Sequence, residues 1–441
     1  MEGWVMTAQL LLGLSILVIL HEWGHFIAAR TFGMRVEKFF LFFDAWNIKL
    51  FKYKKGETEY GVGWLPLGGY VKISGMIDES MDKEAMEKPA ESWEFRSKPA
   101  WQRLIVMLGG VTVNVLLGML IFSLITFGYG EKYLPADQLK YGIVALDLGQ
   151  QIGLETGDKI LSINGEKVER YSDLLASKAY LGSDVVLNVE RNGRMIDLPV
   201  PSDFIVRLSK SKLNNFIDIR QTFYIKEVLP NSNAAKAGLE REDVITAVNS
   251  KNMKFFDQFK DELQAEKGKE VELTVTRSSS ELTLTALVDE NGRLGFQPGF
   301  KDFKYVTNKF GLIESFIIGS PKAWELLFLN LRGFGKIFSG EISFSDSVAG
   351  PIGIATIYGG TWDWQKFWFI TGILSMVLAF MNILPIPALD GGHVIFLSIE
   401  AVTGMKFSDK FMERAQMVGM VILLSLMVFI IGNDIWKYIL N

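Results

Sequence analysis

The 441-residue chain contains no cysteine. That excludes a disulfide scaffold, a thiol nucleophile and Cys-ligated zinc, while leaving the compartment open. Histidine is almost as scarce, so any imidazole-based metal site must draw on His21, His25 and His393. Basic charge in excess is missing too: the net charge is -4 and no basic recognition motif occurs, so nucleic acid is not expected as a partner. The start, Met1-Glu2-Gly3, lacks the basic segment of a cleaved signal peptide, and the apolar run that follows is long enough to span a membrane.

What is abundant is apolar. Hydrophobic residues make up 49% and the mean hydropathy is +0.20, yet 22% of residues are charged. Membrane segments alternating with soluble domains accommodate both values, and the length suits about three structural units. The expected architecture is an α-helical polytopic membrane protein with four spans, near 4–29, 104–129, 367–387 and 412–436. The second span carries Gly109, Gly110 and Gly118, which permit close helix approach, and Asn114, which needs a partner inside the bundle. The third ends in Pro385-Ile386-Pro387, which breaks a helix; at membrane depth such backbone must be buried in protein or line a cavity.

No Lys or Arg precedes the first span, whereas Arg30, Arg35 and Lys38 follow it and Lys406, Lys410 and Arg414 follow the third. The positive-inside rule then places both termini and the long central segment outside the cytoplasm. It also brings the carboxyl ends of the first and third spans together near the cytoplasmic face. Between the first two spans, residues 35–75 are rich in aromatic and β-branched types and predict a membrane-associated β-hairpin loop, with Phe39 to Phe43 dipping into the membrane. Within it, Tyr60, Gly61, Val62 and Gly63 are either a free edge to which an unfolded substrate adds as a strand, or part of a plain cover over the bundle.

The central segment repeats. Gly153-Leu154-Glu155-Thr156-Gly157-Asp158 is matched by Gly238-Leu239-Glu240-Arg241-Glu242-Asp243, an offset of 238 - 153 = 85 residues. Two modules, 131–210 and 211–305, follow from this. Each resembles the PDZ domain (β-rich α+β), which the first copy matches from Gly153 to Gly165; the second departs at Glu242 and Ser250, where glycines are expected. The resemblance implies capture of peptide termini by strand addition, or a size filter that binds nothing tightly. Residues 306–360 predict an amphipathic helix at the outer membrane surface, with Trp324, Leu327 and Leu331 near helical spacing, followed by a linker. Residues 361–441 complete the membrane core.

The chemistry centres on His21-Glu22-Trp23-Gly24-His25. The i, i+4 spacing puts both imidazoles on one helical face, with Glu22 about 100° round the axis, the pattern of a zinc site with its own general base. Ionisable residues at membrane depth are costly and are functional by default. A catalytic zinc takes three protein ligands, and the stretch Asn382 to His393 offers Asp390 or His393 as the third. Asp390 is favoured, with His393 and Asn114 as supports behind the ligands. Asn382 is a candidate to hold a substrate backbone or developing oxyanion, beside Pro385 and Pro387, or else to make an interhelix hydrogen bond.

Taken together, His21-Glu-x-x-His25, Pro66-Leu-Gly-Gly-Tyr-Val-Lys72, Asn382-x-x-Pro-x-Pro-x-Leu-Asp-Gly391 and the tandem PDZ-like modules resemble the site-2 protease family. The resemblance covers nearly the whole chain. It implies an intramembrane zinc endopeptidase of the bacterial inner membrane, with one Zn2+ on His21, His25 and Asp390 and Glu22 as catalytic base. It also implies single-span substrates, such as an anti-sigma factor already trimmed outside, or remnant signal peptides. Two stretches depart from the family pattern: Phe40-Leu-Phe-Phe-Asp44 where a glycine-flanked Phe is usual, and Gly110-Val-Thr-Val-Asn114 where a proline follows the glycine. The rival reading is a non-catalytic membrane-anchored peptide receptor with structural zinc, for which Glu22 would have no use. A metal transporter would need more ionisable residues in the spans.

Overall fold

A computed structural model describes every residue except 1, 67, 77–88, 181–183, 205–206, 209–214, 302, 341–348 and 441. The chain divides into two compact units, one formed by Met1–Gly130 with Lys309–Asn441, the other by Glu131–Asn308. The expected boundary at 210 and 211 between the two repeat modules lies outside the described residues.

The first unit is built on helices α1 (Glu2–Thr31), α2 (Ala100–Tyr129), α3 (Leu312–Phe338), α4 (Pro351–Tyr358), α5 (Trp364–Ile383), α6 (Asp390–Thr403) and α7 (Asp409–Ile435). Among the described residues, four helices are long and apolar enough to cross a membrane: α1, α2, α5 and a helical stretch from Lys410 to Tyr438 that includes most of α7. The third span stops at Ile383, not near 387. Its last residue is followed by Leu384 in extended conformation (φ -60°, ψ 147°), because the ring of Pro385 disfavours a helical residue before it. The chain then folds back on itself. A Cβ on Gly391 would lie 2.3 Å from the Ile383 and Leu384 carbonyl oxygens, and one on Gly392 2.4 Å from Pro387 Cα, so only glycine fits both positions.

Helices α1 and α2 cross where two glycines meet. A Cβ on Gly24 would stand 2.3 Å from the Gly109 carbonyl oxygen, and one on Gly109 2.6 Å from that of Gly24. Helix α3 packs along one side on the bundle. Its small-residue stripe, Ser315, Gly319 and Ala323, is buried, and Gly319 packs directly on Ser123 of α2. Leu327 joins Phe122 and Met376 of α2 and α5 in one apolar cluster. The face turned away, with Ile313, Ile317 and Phe328, is exposed.

Between α1 and α2, strands β1 (Val36–Leu41), β2 (Lys49–Lys55), β3 (Thr58–Gly63) and β4 (Tyr70–Ile73) form one sheet in the order β2-β3-β1-β4. This corrects the free-edge expectation. β3 pairs with β2 on one side and, in parallel, with β1 on the other, so Tyr60, Gly61, Val62 and Gly63 offer no open edge; the outer strands are β2 and β4. Gly61 lies under the Phe40 ring and Gly63 against the Phe43 carbonyl, and a Cβ at either would be within 2.4 Å of them. Phe40 is fully buried and stacks on Tyr70 at 5.5 Å, so it fills the sheet's own core instead of reaching outward. The exposed apolar residues of this sheet are Trp46, Ile48, Leu50 and Phe51.

In the second unit two four-stranded sheets have the same order. One runs Arg194–Pro199, Val186–Arg191, Lys159–Ile163, Glu166–Lys167; the other Ser280–Leu287, Glu270–Arg277, Val244–Val248, Lys251–Asn252. Each sheet packs on its own core, around Leu187 and Val189 in one and Leu273 and Val275 in the other. The same clasp closes both. Arg191 donates to both Asp158 carboxylate oxygens and the Gly153 carbonyl, and Arg277 donates likewise to Asp243 and Gly238. At the departures from the glycine pattern the turn is kept and the backbone bears it: Glu242 (φ 70°) and Ser250 (φ 64°) adopt the left-handed conformation of Gly157 (φ 106°) and Gly165 (φ 80°). Ser250→Gly should therefore stabilise this unit by about 1 kcal/mol, and Gly165→Ala should destabilise it by a similar amount, read as opposite shifts in the urea midpoint of proteolytic protection in the full-length protein.

Candidate metal centre

The Gly24 crossing brings the motif helix against α2, and the first consequence falls on His25. Its Nδ1 donates to the Val106 carbonyl at 2.8 Å, which commits that nitrogen and leaves the Nε2 lone pair facing inward. His21, one turn earlier, presents its own Nε2 3.2 Å away. Behind it, Asn114 of α2 is 1% exposed and its amide lies 3.3 Å from His21 Nδ1. With the amide turned so that Oδ1 faces the ring, this oxygen, otherwise buried without a partner, accepts from Nδ1–H and keeps Nε2 unprotonated.

Asp390 completes the cluster from α6. Its Oδ2 lies 3.3 Å from His21 Nε2 and 3.4 Å from His25 Nε2, and the three ligand atoms all fall within 4.8 Å of one another. That oxygen is buried and has no hydrogen-bond partner among the described residues. Two imidazole lone pairs and a carboxylate oxygen converging in a buried site repel one another unless a cation stands between them. The N, N, O donor set and its burial fit zinc with one position left open. A glycine again sets the spacing: a Cβ on Gly110 would stand 2.4 Å from His25 Nε2 and 2.5 Å from His21 Cε1, inside the cluster itself.

Glu22 faces the β-sheet. Gly69 packs beside its side chain: a Cβ there would stand 2.6 Å from Val18 Cγ1, 2.7 Å from the Phe40 carbonyl oxygen and 3.3 Å from Glu22 Cγ. The ligands and Glu22 line one cavity of about 1090 Å³, whose walls come from α1, α4, α7 and the edge strand β4. Asn382 lines it too, with Nδ2 3.2 Å from His21 Nε2. His393 is buried on α6 one turn beyond Asp390 and also lines the cavity, but is not one of the three converging ligands. Pro385 and Pro387 do not line it; they turn the chain between α5 and α6. Tyr60 to Gly63 do not line it either; the Tyr60 ring packs on Phe26 of α1 at 6.1 Å.

Three positions escape the sequence reading, Gly24, Val106 and Asp434, and Gly110 is legible there only as allowing close helix approach. Asp434 of α7 is 1% exposed and accepts from the backbone N–H groups of Gly350, Ile352 and Gly353 at 2.8 to 3.0 Å, capping the start of α4. A carboxylate at the end of a long apolar stretch was the available signal.

The chain matches the profile of Peptidase family M50 over residues 9–426. It belongs to that family, the site-2 proteases. This M50 member is 30% identical to the regulator of sigma E protease of Haemophilus influenzae, over 96% of this chain and 97% of that protein. It is 28% identical to the protease RseP of Yersinia pestis and 27% identical to the regulator of sigma-E protease RseP of Escherichia coli, each over 97% of both chains. The chain is accordingly a zinc metalloprotease of the intramembrane site-2 type.

Gly110→Ala tests the spacing directly. The added methyl should displace one imidazole and lower zinc affinity by at least about tenfold, measured by chelator competition, while far-UV circular dichroism stays unchanged.

Proposed function

We propose that His21, His25 and Asp390 hold one zinc ion, and that with it Glu22 drives hydrolysis of peptide bonds inside the membrane spans of single-span proteins. The observation that carries the reading is the convergence of the three ligand atoms in a cavity that Glu22 shares with a sheet-edge strand. Bound there, zinc supplies a Lewis acid that polarises the scissile carbonyl and brings the pKa of water to about 7. Glu22 takes the proton from the attacking water and passes it to the leaving amine. Asn382, whose amide lies 3.2 Å from His21 Nε2, steadies the substrate carbonyl.

A membrane helix hides its backbone, so the substrate must be extended before it is cut. β4 is the outer strand on the cavity side, and a substrate segment laid along Gly68 to Val71 as a further strand would bring a peptide bond past Glu22 with little demand on sequence. The names of the relatives support a role in sigma-factor regulation, and the resemblance to the site-2 proteases suggests an externally trimmed anti-sigma factor or remnant signal peptides as substrates. The four apolar helices and the bacterial relatives support an inner-membrane location, and the charges flanking the spans favour both termini and two PDZ-like modules outside the cytoplasm, with the site near the cytoplasmic side. There the modules would receive new peptide termini or exclude substrates not yet trimmed.

In detergent with a single-span substrate, Glu22→Gln should retain zinc and lose at least about 100-fold in cleavage rate. Equal cleavage by mutant and wild type at equal zinc content would sink the assignment. Gly69→Ala should also lose activity with zinc retained, because its methyl would clash with Val18 Cγ1 and the Phe40 carbonyl oxygen and crowd Glu22 Cγ, shifting this backbone against Glu22 without touching His21, His25 or Asp390.

A further inference from the structure

Arg103 and Glu400 form an ion pair that local helix stability does not explain. Arg103 Nη2 lies 2.5 Å from Glu400 Oε1, with side chains 12% and 11% exposed. Arg103 stands at the start of α2 and Glu400 in the last turn of α6, so each charge occupies the end of its helix that the peptide dipoles disfavour. Burying both opposes the pair further unless its geometry is good. The guanidinium is held on other sides as well: Nε donates to the Lys98 carbonyl at 3.0 Å, and the Phe95 ring lies beneath it at 5.9 Å.

The elements it joins both lead to the metal cluster. On α2, Val106 comes one turn after Arg103, and its carbonyl orients His25. On α6, Asp390, His393, Leu397 and Glu400 recur at helical spacing and share one face. Leu397 packs with Val106 and Met107 in a single buried cluster. The ion pair thus closes the far end of a packed seam whose near end carries Asp390 on one side and, on the other, the carbonyl that orients His25.

We propose that Arg103 and Glu400 are a positioning pair for the metal centre: their bridge holds the α2 turn that orients His25 in register with the α6 face that carries Asp390. The inference rests on the metal-centre reading above. It is tested on full-length protein in detergent by zinc affinity, from chelator competition at fixed pH, for Arg103→Met, Glu400→Gln and the double variant. Each single substitution should weaken zinc binding by about tenfold to a hundredfold, and the double should be no weaker than the worse single, because both remove one bridge. Thermal unfolding of the same samples separates a purely structural role. Variants that melt lower but bind zinc as tightly as wild type would overturn the proposal, as would losses that multiply in the double. Wild-type protein that binds no zinc would overturn the metal centre and the pairing together, whereas zinc-binding wild type with unaffected variants overturns the pairing alone.

Discussion

The structure depends on one close contact, the crossing of α1 and α2 at Gly24 and Gly109. In hydrocarbon no hydrophobic force drives two helices together, so their approach is decided by how nearly their backbones can meet. Glycine at both positions lets carbonyl oxygens reach where Cβ atoms would otherwise stand. Three features follow from that distance. The Val106 carbonyl reaches His25, Asn114 reaches His21, and the bare backbone of Gly110 leaves room between the two imidazoles. A zinc motif on an isolated helix would carry none of this orientation. The residues that hold the rings are as much part of the centre as the rings.

The third member of the cluster, Asp390, arrives by a different device. Proline ends α5, the chain turns through 384–389, and Gly391 and Gly392 allow α6 to start directly on that turn. Asp390 is consequently the first residue of a helix, where the positive end of the peptide dipoles favours a carboxylate. Asp434 repeats the device at the start of α4, with a span carboxylate accepting three backbone N–H groups. In both cases a charge that would be prohibitive in hydrocarbon is placed where backbone dipoles or a metal answer it.

Much of this was legible in the residues. The four spans stand out because unbroken apolar runs of that length have few other uses, and His21, Glu22, His25 and Asp390 stand out because ionisable groups rarely occur beside such runs. What was not legible depends on pairing between distant segments. Alternation and turn signals correctly gave strands between α1 and α2, but nothing local shows that β3 pairs in parallel with β1 and so sits inside the sheet. The edge that faces Glu22 is β4, from the Pro66 to Lys72 stretch, not Tyr60 to Gly63. Likewise, the spacing of Trp324, Leu327 and Leu331 marked an apolar stripe in α3, but nothing local shows that Leu327 and Leu331, with Ala323, pack on α2 and α5. Gly24, hidden as one of the unspecified positions of its motif, reads as spacing until its neighbour on α2 is known.

The central claim is that two imidazoles and one carboxylate, and no third histidine, hold a single zinc. X-ray absorption at the zinc edge, on full-length protein loaded with one equivalent, measures that shell directly. The account predicts nitrogen and oxygen ligands at about 2.0–2.1 Å, with the outer-shell scattering of two imidazole rings. A shell with three imidazoles, which would bring in His393, or one with a single imidazole or none, would contradict it.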